Sequence, residues 1–346
     1  MKTVEVSVDS GHERVVLCDD PETGYRGIIA VHSTRLGPAV GGTRVWPYGS
    51  VEEALADALR LSRGMTYKAA AAGLALGGGK AVIIADSRTI DREKIFRAHG
   101  RFVEMLGGKY ITAEDVGTSP ADMAIVRKET EFVAGLADRS GDPSPSTAHG
   151  VVRAMQAAAR ERWGSDDLVG RTVSLQGCGH VGTHVAHELH ELRARLILSD
   201  IDYERAAALA RDIGARTADP DAIYEVAADI FAPCALGAII DDGTIARMSA
   251  TVVAGAANNQ LREDRHGDML AGRGIVYAPD YIANAGGIIN GCRELLGWTV
   301  ERAARAVDAI YETTAQVLEI ARMEEIGAHT AADRLAESRL SAEPTE

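Results

Sequence analysis

Apolar and polar residues alternate along MKTVEVSVDSGHERVVLC, and short apolar runs recur after it at RGIIAVH, AVIIAD and YITAED. Runs of this length bounded by Gly, Asp and Pro read as strands. Between them, Leu55, Leu59 and Met65 recur at near-helical spacing. Ser50 followed three residues later by Glu53 is a capping-box start, so a helix is expected from Val51 to about Lys68, before Gly73. A second helix is expected from Asp91. Strand-like and helix-like stretches thus alternate from Arg14 to about Gly135, the pattern of an α/β domain.

After a helical segment, VVRAMQAAARERW, the second half repeats a longer rhythm. Strand RTVSLQ leads into a glycine-rich turn and a helix. The strands RLILSD, DIFAPCA, ATVVAGAA and GIVYAPDY follow, with helical stretches between most of them. That rhythm predicts a parallel, doubly wound sheet. The tail ERAARAVDAIYETTAQVLEIARMEE has apolar residues at helical spacing and is expected to form one long amphipathic helix. The Pro- and Ser-rich segment DRSGDPSPSTAHG is the expected connection between two domains, with a boundary near Gly141 to Gly150. A chain of 346 residues is long enough for two. The expected extents are 1–140 and 141–325, with a final helix at about 325–346 packing back on the first domain.

In VSLQGCGHVGTHVA, Gly177, Gly179 and Gly182 form GxGxxG directly after an expected strand and before a helix. The next strand ends at Asp200, 23 residues after Gly177. In that context the motif is a dinucleotide-binding turn: the glycines allow a tight bend, and the free N–H groups of Cys178, Gly179, His180 and Val181 face a pyrophosphate. Asp200 accepts the ribose hydroxyls and repels a 2′-phosphate, so NAD is favoured over NADP. His180 reads as an exposed member of the turn rather than a catalyst.

Charge and cysteine content narrow the function further. The net charge of −13 disfavours nucleic acid and anionic membranes as partners. Cys18, Cys178, Cys234 and Cys292 are widely separated with no CxxC pair, which predicts reduced thiols, no disulfide framework and no metal site. No apolar run approaches a membrane span, and the N-terminal stretch lacks the apolar core of a signal peptide, so a cytoplasmic protein is expected.

The remaining chemistry centres on Lys80, which follows Gly77, Gly78 and Gly79 and precedes an apolar run. A phosphate-binding P-loop is excluded, because Leu74 and Ala81 stand where that motif needs Gly and Ser or Thr. Two readings stay open at this level: a solvated lysine between a glycine turn and a strand, or a working base. Lys68, near the end of the preceding helix, is expected to converge with it. Mutual repulsion and desolvation would lower one lysine's pKa, leaving the other to bind a carboxylate. Asp115, at the end of YITAED, stands where α/β ligands bind and is a candidate proton shuttle.

The stretches LGPAVGGTRVWPY, SRGMTYKAAAAGLALGGGKAVI, YITAEDVGTSPADM, GDPSPSTAHGV, DIFAPCALG, AGAANNQL and YAPDYIANAGGIIN, in this order over nearly the whole chain, resemble the NAD-dependent glutamate, leucine, phenylalanine and valine dehydrogenases. The resemblance implies an N-terminal substrate-binding and oligomerisation domain, a C-terminal Rossmann-like NAD domain, a cleft between them and a homo-oligomer. It implies reversible oxidative deamination of an amino acid to its 2-oxo acid. Lys80 then matches the catalytic lysine, Asp115 the proton-transfer aspartate and Lys68 the lysine on the substrate carboxylate. Gly41 and Gly42 match glycines lining the substrate cleft. Asn259 matches a residue near the carboxylate and nicotinamide, and Thr147 and Asn258 lie on the cofactor side.

The side-chain pocket is expected from Val40, Ala113, Ile288 and Gly291. Val40 stands where a glutamate enzyme needs a cation, so a non-polar substrate is expected. Ala113 resembles the leucine and valine enzymes, whereas Gly291, with Cys292 and Arg293, departs from the leucine pattern and would enlarge the pocket. Branched-chain amino acids are the favoured substrates and phenylalanine the alternative. A 2-hydroxy-acid dehydrogenase would need a His with an Arg in place of Lys68, Lys80 and Asp115. A non-catalytic NAD-binding paralogue would be expected to lack one of the three.

Overall fold

The computed structural model describes residues 1–136 and 141–342, so residues 138–140 of the expected connection and 343–346 of the expected final helix lie outside the described residues. The chain divides into two compact units. Unit 1 comprises Met1–Gly141, Gly291–Trp298 and Ala336–Glu346; unit 2 comprises Asp142–Asn290 and Thr299–Leu335.

Unit 1 contains strands β1 (Lys2–Glu5), β2 (Arg14–Asp20), β3 (Tyr25–Ser33), β4 (Ala39–Trp46), β5 (Gly77–Ile84) and β6 (Tyr110–Glu114), with helices α1 (Val51–Ala71), α2 (Arg92–Glu104) and α3 (Pro120–Val126). The strand order is β1-β2-β3-β5-β4-β6. The β1 to β3 meander and the β3–β5 pair are antiparallel, whereas β4 runs parallel to both β5 and β6. The helix after Ser50 forms as expected: the Ser50 hydroxyl accepts the Glu53 N–H, while the Glu53 carboxylate turns back to the N–H of Gly49 instead of Ser50. It ends before Gly73, whose φ is +65°.

Two layers of side chains cover this sheet. Ala81, Ile83, Val45, Tyr110 and Val31 form one core with Phe96, Phe102 and Val103 of α2. Val82, Ile28 and Ala30 form a smaller one with Ala54 and Ala58 of α1. The small residues along α1 let it lie close to β5. Side chains of the buried Val, Ile and Phe class contribute roughly 1.5–3 kcal/mol each, so a handful offsets the several kcal/mol that burying an ion pair costs.

Two readings of unit 1 are corrected. Gly77, Gly78 and Gly79 are not a turn before a strand: they are the first three residues of β5. A Cβ at Gly77 would sit 2.0 Å from the Ser33 carbonyl oxygen, at Gly78 2.0 Å from the Thr66 backbone nitrogen, and at Gly79 2.6 Å from the Tyr110 ring. The glycines are there because three neighbours approach too closely for any side chain. The stretch AVGGTRVW, not read as a strand, is β4.

Unit 2 carries β7 (Thr172–Gln176), β8 (Arg195–Ser199), β9 (Arg216–Thr217), β10 (Ile230–Pro233), β11 (Val252–Val253) and β12 (Val276–Tyr277). All pairs are parallel, and the order β9-β8-β7-β10-β11-β12 is the doubly wound dinucleotide-fold arrangement, reversing between β7 and β10. Its helices are α4 (Ser144–Trp163), α5 (His180–Glu191), α6 (Tyr203–Ile213), α7 (Asp242–Arg247), α8 (Arg265–Gly272) and α9 (Asp280–Ala283). Then follow α10 (Gly286–Leu295), α11 (Val300–Asp308), α12 (Ile310–Glu324) and α13 (Ala328–Ser341).

Two further expectations are corrected here. Most of the Pro- and Ser-rich segment is the start of α4, with Pro143 at the cap and Pro145 in the first turn, where a missing N–H costs nothing. The tail is two helices rather than one: Ala309 ends α11 and caps α12. Within unit 1, the Tyr67 hydroxyl donates to Glu337 at 2.8 Å and Arg339 donates to the carbonyls of Ala70 and Ala71, fixing the end of α1.

Candidate active site

Side chains two apart on a strand share a face. The register pairs Gly42 with Ala113, and the β4–β5 pairs on either side, Val40 with Gly78 and Thr43 with Ala81, set Gly42 opposite Lys80. Val40, Gly42 and Arg44 of β4, Lys80 of β5, and Ala113 and Asp115 at the end of β6 therefore lie on one face of the unit 1 sheet. It is the face that α1 covers, and Lys68 is in the last turn of α1.

On this face Lys80 is 5% exposed, and its Nζ donates to Asp115 Oδ2 at 2.5 Å. Burial pushes the ammonium below its ordinary pKa; Asp115 opposes the shift and the Arg44 cation reinforces it. Burial alone would raise Asp115, but the Lys80 and Arg44 cations outweigh it and hold the carboxyl below its ordinary value. Thr118 Oγ1 accepts the Asp115 N–H at 2.7 Å and fixes the turn that carries the carboxylate. A buried amine of lowered basicity, bonded to an ionised carboxylate, can take up and pass on protons.

A cation acting on Lys80 that the sequence did not point to is Arg44. Arg44 Nε donates to the same Asp115 oxygen at 3.1 Å, and its Nη1 donates to Asp57 Oδ2 at 2.9 Å. Asp57 also accepts from the Tyr48 hydroxyl at 2.6 Å and from Arg60 at 2.8 Å. Arg44, Asp57 and Tyr48 were missed; alternation along β4 from Gly42 would have put Arg44 on the lysine's face. Gly41 and Gly42 also have packing reasons to be glycine, since a Cβ would meet the Gly79 carbonyl oxygen at 1.7 Å and the Glu114 carbonyl oxygen at 2.4 Å. Val40 is buried, Ala113 and Lys68 are half-buried, and Gly291 opens onto space with only Leu295 within 4 Å of an added Cβ.

In unit 2 the GCGHVG stretch is a turn between β7 and α5. Gly177 has φ +98°, and its N–H donates to the Ser199 carbonyl at 2.7 Å. A Cβ at Gly182 would sit 1.9 Å from the Gly177 carbonyl oxygen, whereas one at Gly179 meets nothing within 4 Å. Gly177 and Gly182 fix the turn; Gly179 leaves open room over the N-terminus of α5, as close approach of a pyrophosphate requires. Asp200, nine-tenths buried, accepts the Cys178 N–H at 2.7 Å and the Asp202 N–H at 2.9 Å, which aims its carboxylate across the turn and leaves lone pairs for hydroxyl donors. His180 is exposed and Val181 half-buried.

Elsewhere in unit 2, Thr147 bonds back to the Pro143 carbonyl at 2.9 Å. Asn258 Oδ1 accepts from Asn284 at 2.8 Å, and the exposed Asn259 takes a left-handed φ of +50°. Ile288 is half-buried in α10. Among the described residues no group of three His, Cys, Asp or Glu side chains is placed to hold a metal, and no helix is long and apolar enough to cross a membrane.

A doubly wound sheet with a dinucleotide turn, and a second sheet carrying a buried lysine–aspartate pair, define a dehydrogenase. Comparison with known proteins makes the class definite. Residues 12–132 match the family described as Glu/Leu/Phe/Val dehydrogenase, dimerisation domain, and residues 201–343 match Glutamate/Leucine/Phenylalanine/Valine dehydrogenase. The chain is 54% identical to the leucine dehydrogenase of Geobacillus stearothermophilus, covering 95% of this chain and 90% of that one. It is 45% identical to the phenylalanine dehydrogenase of Caldalkalibacillus thermarum, over 98% of this chain and 94% of the other. The crystal structure of L-tryptophan dehydrogenase from Nostoc punctiforme superposes with a TM-score of 0.87 at 45% identity over 96% of both chains. The chain belongs to the Glu/Leu/Phe/Val dehydrogenase family and is an amino-acid dehydrogenase.

Proposed function

We propose that this enzyme catalyses the reversible, NAD-dependent oxidative deamination of a branched-chain L-amino acid to its 2-oxo acid, ammonium, NADH and a proton. The observation that carries the reading is the buried Lys80–Asp115 pair on the face that also bears Gly42 and Ala113. Lys80, as the amine, takes a proton from the water that attacks the imine carbon. Asp115 receives that proton from Lys80 through their shared hydrogen bond and passes it to the departing nitrogen, which leaves Lys80 free to act as a base again. Lys68 holds the substrate carboxylate, Gly41 and Gly42 leave room beside it, and Val40, Ala113, Ile288 and Gly291 receive the side chain, with Asn259 near the carboxylate.

Gly177, Cys178, Gly179, His180, Val181 and Gly182 hold the dinucleotide pyrophosphate, Asp200 its ribose, and Thr147 and Asn258 its nicotinamide end. When bound, the nicotinamide supplies the acceptor for the hydride leaving the substrate Cα. The negative charge of Asp200 at the ribose position supports NAD over NADP. The dimerisation-domain description of the family matched by residues 12–132 supports a homo-oligomer.

An aliphatic substrate is supported by Val40, Ala113 and the 54% identity to a leucine dehydrogenase. An aromatic substrate is the second reading, favoured by the open space at Gly291 and by the phenylalanine and tryptophan relatives at 45%. NADH absorbance with leucine, isoleucine, valine, phenylalanine, tryptophan and glutamate, each with NAD and NADP, tests both. Branched-chain kcat/KM roughly tenfold or more above the aromatic values is expected. An aromatic excess transfers the assignment to the second reading, and no reduction with any amino acid overturns the function.

A further inference from the structure

Arg44 bridges two carboxylates from different elements. Its Nε reaches Asp115 beyond the end of β6, and its Nη1 reaches Asp57 in the second turn of α1. The Arg44 side chain is 22% exposed, Asp115 23% and Asp57 16%, so this is not a solvated surface pair. Lys80 and Arg44 share a single Asp115 oxygen, so the place of the guanidinium sets where that oxygen sits relative to the amine. Arg44 is itself anchored at its far end, because the Asp57 oxygen it bonds also takes the Tyr48 hydroxyl. A planar guanidinium with separate donors can span both carboxylates, which a lysine ammonium cannot do with the same geometry.

We propose that Arg44 is a positioning residue for the lysine–aspartate pair, aiming the Asp115 carboxylate at Lys80, and that Asp57 with Tyr48 holds Arg44 in place to do so. This rests on the proposed roles of Lys80 and Asp115. Among the described residues, the charged and titratable groups that bear on the pair include Arg44 from β4 and Asp57 from α1, with Tyr48 and Arg60 bonded to Asp57, and Tyr110 from β6 feels the Asp115 charge. Their signs separate a positioning role from a merely structural one. Removing the Arg44 cation takes away a repulsion on the Lys80 ammonium and leaves Asp115 to Lys80 alone, so the amine becomes more basic. Removing the Asp57 anion takes away an attraction and lets Arg44 draw harder on Asp115, so the amine becomes less basic.

The experiment is the pH profile of kcat/KM for deamination, with the best substrate of the panel and NAD, in the intact enzyme and in Arg44→Met, Arg44→Lys and Asp57→Asn. The low-pH limb, on which activity rises as the Lys80 amine loses its proton, should move up by about one pH unit in Arg44→Met and move down in Asp57→Asn. In Arg44→Lys the limb should stay within a few tenths of a unit while kcat falls roughly tenfold to a hundredfold with KM little changed, because charge is kept and aim is lost. Limbs that stay put, or that move the same way in Arg44→Met and Asp57→Asn, overturn the proposal. If Arg44→Met does not fold, the downward shift in Asp57→Asn and the kcat loss in Arg44→Lys decide it. Lys80→Ala serves as the separate check: full activity in that variant overturns the proposed function itself, whereas its inactivity beside unmoved limbs overturns only the role of Arg44.

Discussion

Each unit contains a glycine-rich stretch beside a strand, and the two use glycine for different reasons. In unit 1, Gly77, Gly78 and Gly79 lie inside β5, none with a left-handed φ, and each is pressed by a neighbouring chain, helix or ring. In unit 2, Gly177 lies just past the end of β7 with φ +98°, and Gly179 faces open space. One set lets protein approach protein; the other makes a bend and leaves room for a ligand. The difference explains the buried lysine, since packing this tight places Lys80 in the middle of a sheet strand, where burial lowers its basicity. A glycine turn at that place would have left the lysine in solvent.

Substitution by alanine separates the two uses. Gly78→Ala drives a Cβ into the backbone of Thr66, which cannot yield without moving α1, and should destabilise the protein by about 3 kcal/mol. A denaturation midpoint reads this, and an unchanged midpoint would mean that α1 is free to move off β5. Gly179→Ala should do the reverse. Its Cβ meets nothing, so stability should stay within about 0.5 kcal/mol, while NAD binding by fluorescence titration weakens roughly tenfold or more. Equal losses of stability in both variants would erase the distinction.

The units also differ in how they treat a titratable base. Lys80 is pushed toward neutrality by burial, whereas His149 on α4 is pushed up to about 9, first by its hydrogen bond to Glu188 and also by Asp308, against partial burial. A folded pKa above the unfolded value means stability that is complete below about 6.5 and is lost as pH rises through about 9. His149 is 40% exposed, so solvent screening reduces the effect to about 1 kcal/mol. His149→Gln should lower the melting temperature by a few degrees at pH 6, with the difference closing above pH 9. A difference that persists at pH 10 would show that packing, not charge, is responsible.

What was legible in the sequence was local. Strand RTVSLQ, the GCGHVG turn and Asp200 announce themselves because turn chemistry and element succession are written within about 25 residues. The start of α1 was legible for the same reason, in Ser50 and Glu53. The strand character of AVGGTRVW was hidden because Gly41 and Gly42 lower strand propensity, and only the neighbours that require them, Gly79 and Glu114, explain them. The bridge from Asp57 through Arg44 to Asp115 joins positions 13 and 71 residues apart. No local pattern encodes such a pairing; it follows only from the order in which β5, β4 and β6 assemble. Lys80 and Asp115 were found without their setting, and the setting adds Arg44 as a cation that tunes the pair.

The central claim is that Lys80 is the base, and Lys80→Ala tests it most directly. Arg44 remains to pair with Asp115, so no carboxylate is orphaned and the fold should survive, as should NAD binding at the separate turn in unit 2. Amino-acid-dependent NADH formation, measured beside NAD affinity and melting temperature in the same preparation, should fall by about 10³-fold or more while the other two hold. Turnover within about tenfold of the wild-type enzyme, with the fold intact, would contradict the account.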